Sequence, residues 1–293
     1  MTATETGRLQ LQSGDRIAIV AGSGRLPLDL AEALAARGQR PFVVMVRDEA
    51  SSELASYDHE ELTVENFAGL APLLKRRGIT HAVFAGGISR RPKLSALKPS
   101  LALLRLLPRA LAALGKGDDG MLRALAAAVE AQGVKVVGAH QIAPDLLASH
   151  GPMTATAPQK SDWRDIGAAA AAARAIGALD IGQAAVAIGG RAIALEGVEG
   201  TDGLLERVKE LRSHGRLAGK KRGVLVKCAK PGQELRMDLP SIGPGTVTAA
   251  HAAGLAGIGV EAERSLVLDL ANVIDEADRL GLFVVGLPRE KTP

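Results

Sequence analysis

Ile17-Ala18-Ile19-Val20-Ala21 is an uninterrupted apolar run closed by Gly22-Ser23-Gly24. A strand that is apolar at every position is buried on both faces, which is the situation of a strand inside a parallel sheet. Pro27 then stands where a helix begins, and Leu28 to Arg37 carries the helix to Gly38. The same cycle recurs downstream. Phe42 to Val46 reads as a strand. Phe67 to Arg77 reads as a helix with Leu70, Leu73 and Leu74 on one face, and His81 to Ala85 as a strand ending in Gly86-Gly87. Helices are predicted over 101–114 and 118–132, and Val134 to Gly138 closes the series with a strand. Strands alternating with helices predict a layered, parallel α/β sheet of Rossmann-like kind over residues 15–146, after a disordered tail at 1–14.

The texture then changes. Ser149 to Pro158 is rich in small and turn-forming residues, so 147–161 reads as a flexible linker to a second α/β domain at 162–293. Asp162 is placed to cap an alanine-rich helix running from Gly167 to Ile176. Ala184 to Ile188 and Arg191 to Leu195, split by Gly189-Gly190, read as a hairpin. A helix from Thr201 to Leu211, an apolar run at Gly223 to Val226, a strand at Leu266 to Leu268, a helix over Leu270 to Leu280 and a strand at Phe283 to Val285 complete the unit.

Composition narrows the function. Apolar residues make up 47% of the chain but aromatics only 2%, so the cores are built from Ala, Leu, Val and Ile. One Trp, one Tyr and four Phe leave little for bases to stack on, which argues against single-stranded nucleic acid as a partner. A net charge of +4 permits a phosphate-bearing ligand or an anionic membrane surface without demanding a polyanion. Cys228 is the sole cysteine, so no intrachain disulfide forms, as suits a reducing compartment. No run is long and apolar enough to span a bilayer, and the first fourteen residues lack a hydrophobic signal core. The chain therefore reads as cytoplasmic.

Polar residues gather where strands hand over to helices. The densest stretch, Lys227 to Thr246, packs Lys227, Lys230, Gln233, Arg236 and Asp238 among prolines and glycines, with Asp238 directly before Leu239-Pro240. A strand, a polar loop and a helix start form the usual setting for anions and metals in α/β domains. Gly22-Ser23-Gly24 invites a dinucleotide reading, but Pro27 takes the place of the third glycine and no acidic residue clearly ends the second strand. Two readings remain there: a turn offering backbone N–H groups to a phosphate, or a turn chosen for sterics. Arg90 and Arg91, after Gly86-Gly87-Ile88-Ser89, are suited to phosphate or to a solvated loop. Asp118 and Asp119, beside Lys116, either cap a helix or hold Mg²⁺ through oxygen. Thr201, before Asp202, reads as a helix cap. Cys228 reads as a buried small residue.

Taken in order, these motifs resemble one family. They are Gly22-x-Gly24-x-Leu26-Pro27, Ala85-Gly86 with Ser89-Arg90, Lys116-Gly117-Asp118-Asp119, Gly138-Ala139-His140 and Asp180-Ile181-Gly182-Gln183. Gly200-Thr201-Asp202, Lys230-Pro231-x-Gln233 and Asp238-Leu239-Pro240-x-Ile242-Gly243 follow. The ordered set, from about Arg16 to Leu287, is similar to the UDP-2,3-diacylglucosamine pyrophosphatases of lipid A synthesis, in the form typical of alpha-proteobacteria. Two departures are visible: Ser23 stands where glycine is common, and Ser89-Arg90-Arg91-Pro92 is one residue longer than usual, leaving open which arginine faces the ligand.

The resemblance implies Mg²⁺-assisted hydrolysis, with Mn²⁺ as a substitute, of UDP-2,3-diacylglucosamine to UMP and 2,3-diacylglucosamine 1-phosphate (lipid X). It implies two domains that enclose the substrate, a homodimer, and peripheral contact with the inner membrane. Asp238, with Lys230 and Gln233, is the implied catalytic group. Gly22, Ser23, Gly24, Gly86, Ser89, Arg90, Lys116, Gly138, His140, Gln183, Thr201, Lys227, Gly243 and Thr246 are the implied substrate contacts, and Asp238, Asp118, Asp119 and Asp202 the implied metal ligands. The residues alone leave Asp238 open between binding metal and orienting water. The competing reading is a nucleotide-sugar or lipid-binding regulator on the same scaffold, which has no use for carboxylates facing phosphates.

Overall fold

The computed structural model describes residues 8–88, 117–215, 217, 219, 222–231 and 233–289. The helix predicted over 101–114 lies outside them, as do Ser89, Arg90 and Lys116. The chain forms two compact units, Met1–Asp145 with Glu234–Asp238, and Leu146–Gln233 with Leu239–Pro293.

In the first unit five strands, β1 (Ile17–Ala21), β2 (Phe42–Val46), β3 (His59–Leu62), β4 (His81–Ala85) and β5 (Lys135–Val137), pair in parallel in the order β3-β2-β1-β4-β5. Among the described residues four α-helices accompany them: α1 (Leu26–Ala35), α2 (Leu70–Arg76), α3 (Gly117–Glu130) and α4 (Ala139–Ile142). Alternate residues of the strands meet different layers. Ala18, Val20, Val44, Val46, Ala82, Phe84 and Val136 pack against Leu70, Leu73 and Leu74 of α2 and Ala126 and Val129 of α3. Ile17, Ile19, Val43, Val83 and Val137 are equally buried, and α1 and α4 lie against β1 and β4. Pro27 sits in the first turn of α1, where its missing N–H is no loss.

Two features depart from expectation. β3 was not predicted because its sequence, His-Glu-Glu-Leu, is polar; it is an edge strand, half-open to solvent. Phe67 belongs to a 3₁₀ turn over Val64–Gly69, so α2 starts only at Leu70. The core is joined late in sequence by Met237, only 7% exposed, from the short Glu234–Asp238 segment.

The second unit contains β6 (Gly151–Pro152), α5 (Lys160–Ala178), β7 (Ala184–Ala187), β8 (Ala192–Leu195), α6 (Gly200–Ser213), β9 (Val224–Lys227), β10 (Ser241–Ile242), α7 (Pro244–Ala252), β11 (Gly257–Glu261), β12 (Leu266–Val267), α8 (Leu270–Leu280) and β13 (Phe283–Leu287). The main sheet runs β6-β13-β11-β9-β7-β8. β9, β11 and β13 are parallel; β6, and β7 beside β9, run antiparallel. β10 and β12 make a separate parallel pair. The two faces of the main sheet again separate by alternation. Val186, Leu225, Ile258 and Val284 face a cluster with Leu204, Leu205, Val208, Val247 and Val273, whereas Ala185, Val224, Val226, Phe283 and Val285 face Ile166, Ala169, Ala170 and Ala173 of α5.

The predicted hairpin is present, and Gly189 and Gly190 both hold positive φ, 65° and 80°, as a two-residue primed turn requires. Asp162 is not the cap of α5. The helix begins at Lys160, and Asp162, 1% exposed, reaches back to accept the Gln159 N–H at 2.8 Å and pairs with Arg222 at 2.7 Å. Nor does Thr201 cap α6, whose preceding residue is Glu199; its hydroxyl is engaged elsewhere, as described below. β11 escaped prediction because Gly257 and Gly259 dilute its apolar pattern. A Cβ on Gly257 would stand 2.4 Å from the Phe283 ring, so glycine there lets β11 and β13 close.

Candidate active site

The first unit gathers its predicted residues at the carboxyl ends of β1, β4 and β5. The strand order reverses between β1 and β4, the position at which open α/β sheets bind ligands. Gly22 follows β1 and Gly86 follows β4, and their loops are zipped together. Ser23 N donates to Gly87 O at 2.8 Å, Gly87 N to Ser23 O at 3.1 Å, and Gly22 N to Ala85 O at 2.8 Å. A Cβ on Gly22 would meet Gly87 O at 2.2 Å, and one on Gly86 would meet Ser23 O at 2.3 Å. The glycines are therefore required by this contact, and the Gly22 and Ser23 amides that the sequence offered to a phosphate are spent on it. Ser23 Oγ also donates to Gly87 O at 3.1 Å. Gly24, at φ 90°, faces open space. At the end of β5, Gly138 makes room for the buried His140 ring, whose Cε1 would lie 2.4 Å from a Cβ at 138.

Arg236 and Glu234 belong to the same unit. The Arg236 guanidinium grips both oxygens of Glu234 at 2.9 and 3.0 Å and donates to Glu130 at 2.7 Å. The hydrogen bonds that Arg236 donates to Glu234 push the guanidinium's pKa up and hold the Glu234 carboxyl below its ordinary range despite partial burial. Asp238 is exposed at the end of this turn, with its N–H donating to Glu234 O at 3.2 Å. Asp118 and Asp119 lie in the first turn of α3, and their side chains are outside the described residues.

In the second unit the carboxyl end of β9 carries a connected polar network. Lys227, 9% exposed, donates from Nζ to Thr201 Oγ1 at 3.0 Å and to Ser241 O at 3.1 Å. Thr201 donates to Glu196 Oε1 at 2.6 Å, and Gln183 N donates to Glu196 Oε2 at 2.7 Å. Cys228, buried as expected, donates its N–H to Gln183 O. Ala229 N donates to the buried Glu261 at 3.1 Å, which also takes Arg174 at 3.3 Å. Lys230 N donates to Gln233 Oε1 at 2.9 Å, and Lys230 Nζ pairs with Asp180 at 2.6 Å. Gly243 N and Thr246 Oγ1 meet at 3.3 Å at the head of α7, and Asp202 is exposed in the first turn of α6.

Gln183, Thr201, Lys227, Lys230 and Gln233 are thus tied together by hydrogen bonds or by direct chain continuity around the end of β9. Gly22, Ser23 and Gly86 form a second group, and Gly138 and His140 a third. Among the described residues no three of His, Cys, Asp and Glu converge on a metal-sized site. Sequence reading missed Glu196 and Glu261, the buried carboxylates that organise the network around β9. Glu196 follows the apolar run Ala192–Leu195 and Glu261 ends Gly257–Val260, and a lone carboxylate closing a buried strand was the available signal.

The family description "LpxI N-terminal domain" matches residues 16–146 and "LpxI C-terminal domain" matches 149–285. The curated protein UDP-2,3-diacylglucosamine pyrophosphatase LpxI of Caulobacter vibrioides is 39% identical over 279 residues, covering 95% of this chain and 99% of that protein. Two solved structures are distantly similar: the UDP-glucose 4-epimerase of Thermus thermophilus in complex with NAD, and a GalE-like L-threonine dehydrogenase from Cupriavidus necator. Identities are 14% and 13%, covering 93% and 94% of this chain and 86% of each of theirs. With TM-scores of 0.30, neither likeness carries an argument. Two domain matches in chain order and an end-to-end relative agree: the chain belongs to the LpxI family.

Proposed function

We propose that this protein hydrolyses the pyrophosphate of UDP-2,3-diacylglucosamine, releasing UMP and 2,3-diacylglucosamine 1-phosphate. The observation that carries the reading is the 39% identity, sustained over 99% of a relative bearing that activity in its name. The chemistry of the chain supports it. Water adds across one P–O bond of the anhydride, and negative charge on the phosphate oxygens must be offset before water approaches. Lys227 and Lys230 supply ammonium groups beside one strand end, the first braced by Thr201 and Ser241 O, the second by Asp180. The Gln233 carboxamide accepts the Lys230 N–H and so braces the chain just after them. Asp238 takes the role of orienting water or holding a cation, and its exposure suits either.

The reading includes a need for Mg²⁺, or Mn²⁺ in its place, held through carboxylate oxygen, for which Asp238, Asp118, Asp119 and Asp202 are the candidate ligands. The acidic, histidine-free donor set suits a hard cation better than Zn²⁺. Bound there, the ion would add positive charge at the anhydride. It also includes a homodimer and peripheral attachment to the inner membrane, tested by sedimentation and by flotation with phospholipid vesicles.

Incubation of purified protein with UDP-2,3-diacylglucosamine and Mg²⁺ should release UMP; its absence would turn the reading to a non-catalytic binder. Exhaustive EDTA treatment and desalting should abolish turnover, and added Mg²⁺ should restore it. Asp238→Ala should lose more than about tenfold in kcat, over ~1.4 kcal/mol of transition-state stabilisation, at nearly unchanged Tm. A folded variant above a tenth of wild-type kcat would remove Asp238 from the chemistry.

A further inference from the structure

Glu196 has no part in the reading above, yet it touches residues that do. It follows β8 and is 6% exposed. Oε2 accepts the Gln183 N–H at 2.7 Å, and Oε1 accepts the Thr201 hydroxyl at 2.6 Å. The neighbouring backbone is in close contact: a Cβ on Gly182 would stand 2.4 Å from Glu196 O. With its proton committed to Glu196, Thr201 Oγ1 presents lone pairs on its other side, and Lys227 Nζ donates into one of them at 3.0 Å. The polarity of the chain is therefore fixed: ammonium to hydroxyl to carboxylate. A reversed hydroxyl would set a proton against the ammonium. An ionised carboxylate at the end of the chain also balances the charge of Lys227, which is itself almost fully buried.

We propose that Glu196 is a positioning residue of the pyrophosphatase site, which fixes the orientation of the Thr201 hydroxyl and, through it, the place of the Lys227 ammonium at the end of β9. This rests on the reading of Lys227 and Thr201 as substrate contacts.

Glu196→Gln tests it with almost no change of shape. Two donors, the Thr201 O–H and the Gln183 N–H, would then face one oxygen and one NH₂. The peptide N–H is held by its loop, so the hydroxyl is the donor that must turn, toward Lys227. Glu196→Gln should lower kcat/KM by about tenfold or more at a Tm well above assay temperature. Because the effect passes through Thr201, the losses of Glu196→Gln and Thr201→Val should not multiply: the double variant should stay within about twofold of the weaker single one. Losses that multiply, or an unchanged kcat/KM, would overturn the proposal and leave Glu196 a purely structural group.

A second readout needs no substrate. The ¹⁵N resonance of the Lys227 ammonium in ligand-free protein should shift in Glu196→Gln, since the Thr201 hydroxyl that it donates to would be turned. An unmoved resonance would sink the network itself. If wild-type protein released no UMP while the resonance still responded, the pyrophosphatase reading would fail and with it the role in catalysis, but not the arrangement of Glu196, Thr201 and Lys227. Should Glu196→Gln not fold, Glu196→Asp draws the carboxylate back by one methylene, and wild-type kcat/KM there would likewise overturn the proposal.

Discussion

Gly86 combines φ 85° with the 2.3 Å approach that a Cβ would make to Ser23 O. Gly133 has nearly the same backbone, φ 84°, with nothing within 4 Å of its missing Cβ. The pair separates backbone strain from steric conflict. Gly133→Ala should cost about 1–2 kcal/mol, the penalty of a left-handed L-residue. Gly86→Ala should cost several kcal/mol more, because the clash is with backbone that the zipped loops hold in place. Thermal melts of both variants give the comparison. Glu234 offers a test by pH. Its folded carboxyl sits below the ordinary 4.5 because Arg236 hydrogen-bonds the ionised form. The contribution is therefore fully present above pH 4.5 and is lost as pH falls through the depressed folded value. The Tm advantage of wild type over Glu234→Gln should be present at pH 7 and shrink in that acid window.

At the scale of elements, α5 is tied down at its first turn by Asp162, which joins the Gln159 N–H to Arg222. Asp162→Ala removes a capping interaction and leaves a half-exposed arginine without that partner, an expected loss of about 2 kcal/mol. Tm should fall by roughly 4–8 °C, with kcat retained below the transition, since Asp162 lies outside the candidate site. This role was only half legible from sequence. An acidic residue before an alanine run signals a helix start, but it does not say whether the residue stands at the cap or two positions inside. Elements whose character is written in consecutive residues read well: the apolar runs of β1, β2 and β4, Pro27 in α1, and the paired glycines of the β7–β8 turn. Those that depend on a distant partner did not. The glycines of β11 make sense only beside the Phe283 ring, and β3 is a strand because β2 offers it an edge. Thr201 shows the same limit within the site. Its position at a helix start suggested a cap, whereas Glu196 and Lys227, remote in sequence, decide what its hydroxyl does. The glycine clusters at strand ends were visible as candidates, but the consumption of the Gly22 and Ser23 amides by the β4 loop was not.

For the whole molecule, the discontinuous make-up of the first unit has a measurable cost. Met237 contributes to a core otherwise built from residues before 146. Met237→Ala should destabilise by about 2–4 kcal/mol, as for other buried large-to-small changes, and the loss should appear in the melting of the first unit. A chain truncated after Asp145 would lack both Met237 and the Arg236 hydrogen bond to Glu130, and should melt well below the intact protein. The same arrangement bears on manufacture in the cell. Met237 lies 92 positions after Asp145 (237 − 145). At roughly 5–20 residues per second, the ribosome delivers the missing piece about 5–20 s after the bulk of that unit has emerged. For that interval the nascent sheet carries an unfilled gap in its apolar layer, a window in which a holding chaperone or an unintended neighbour can dock. Completion is timed by translation of the second half, so slow codons there should prolong the exposure, and rapid ones should shorten it.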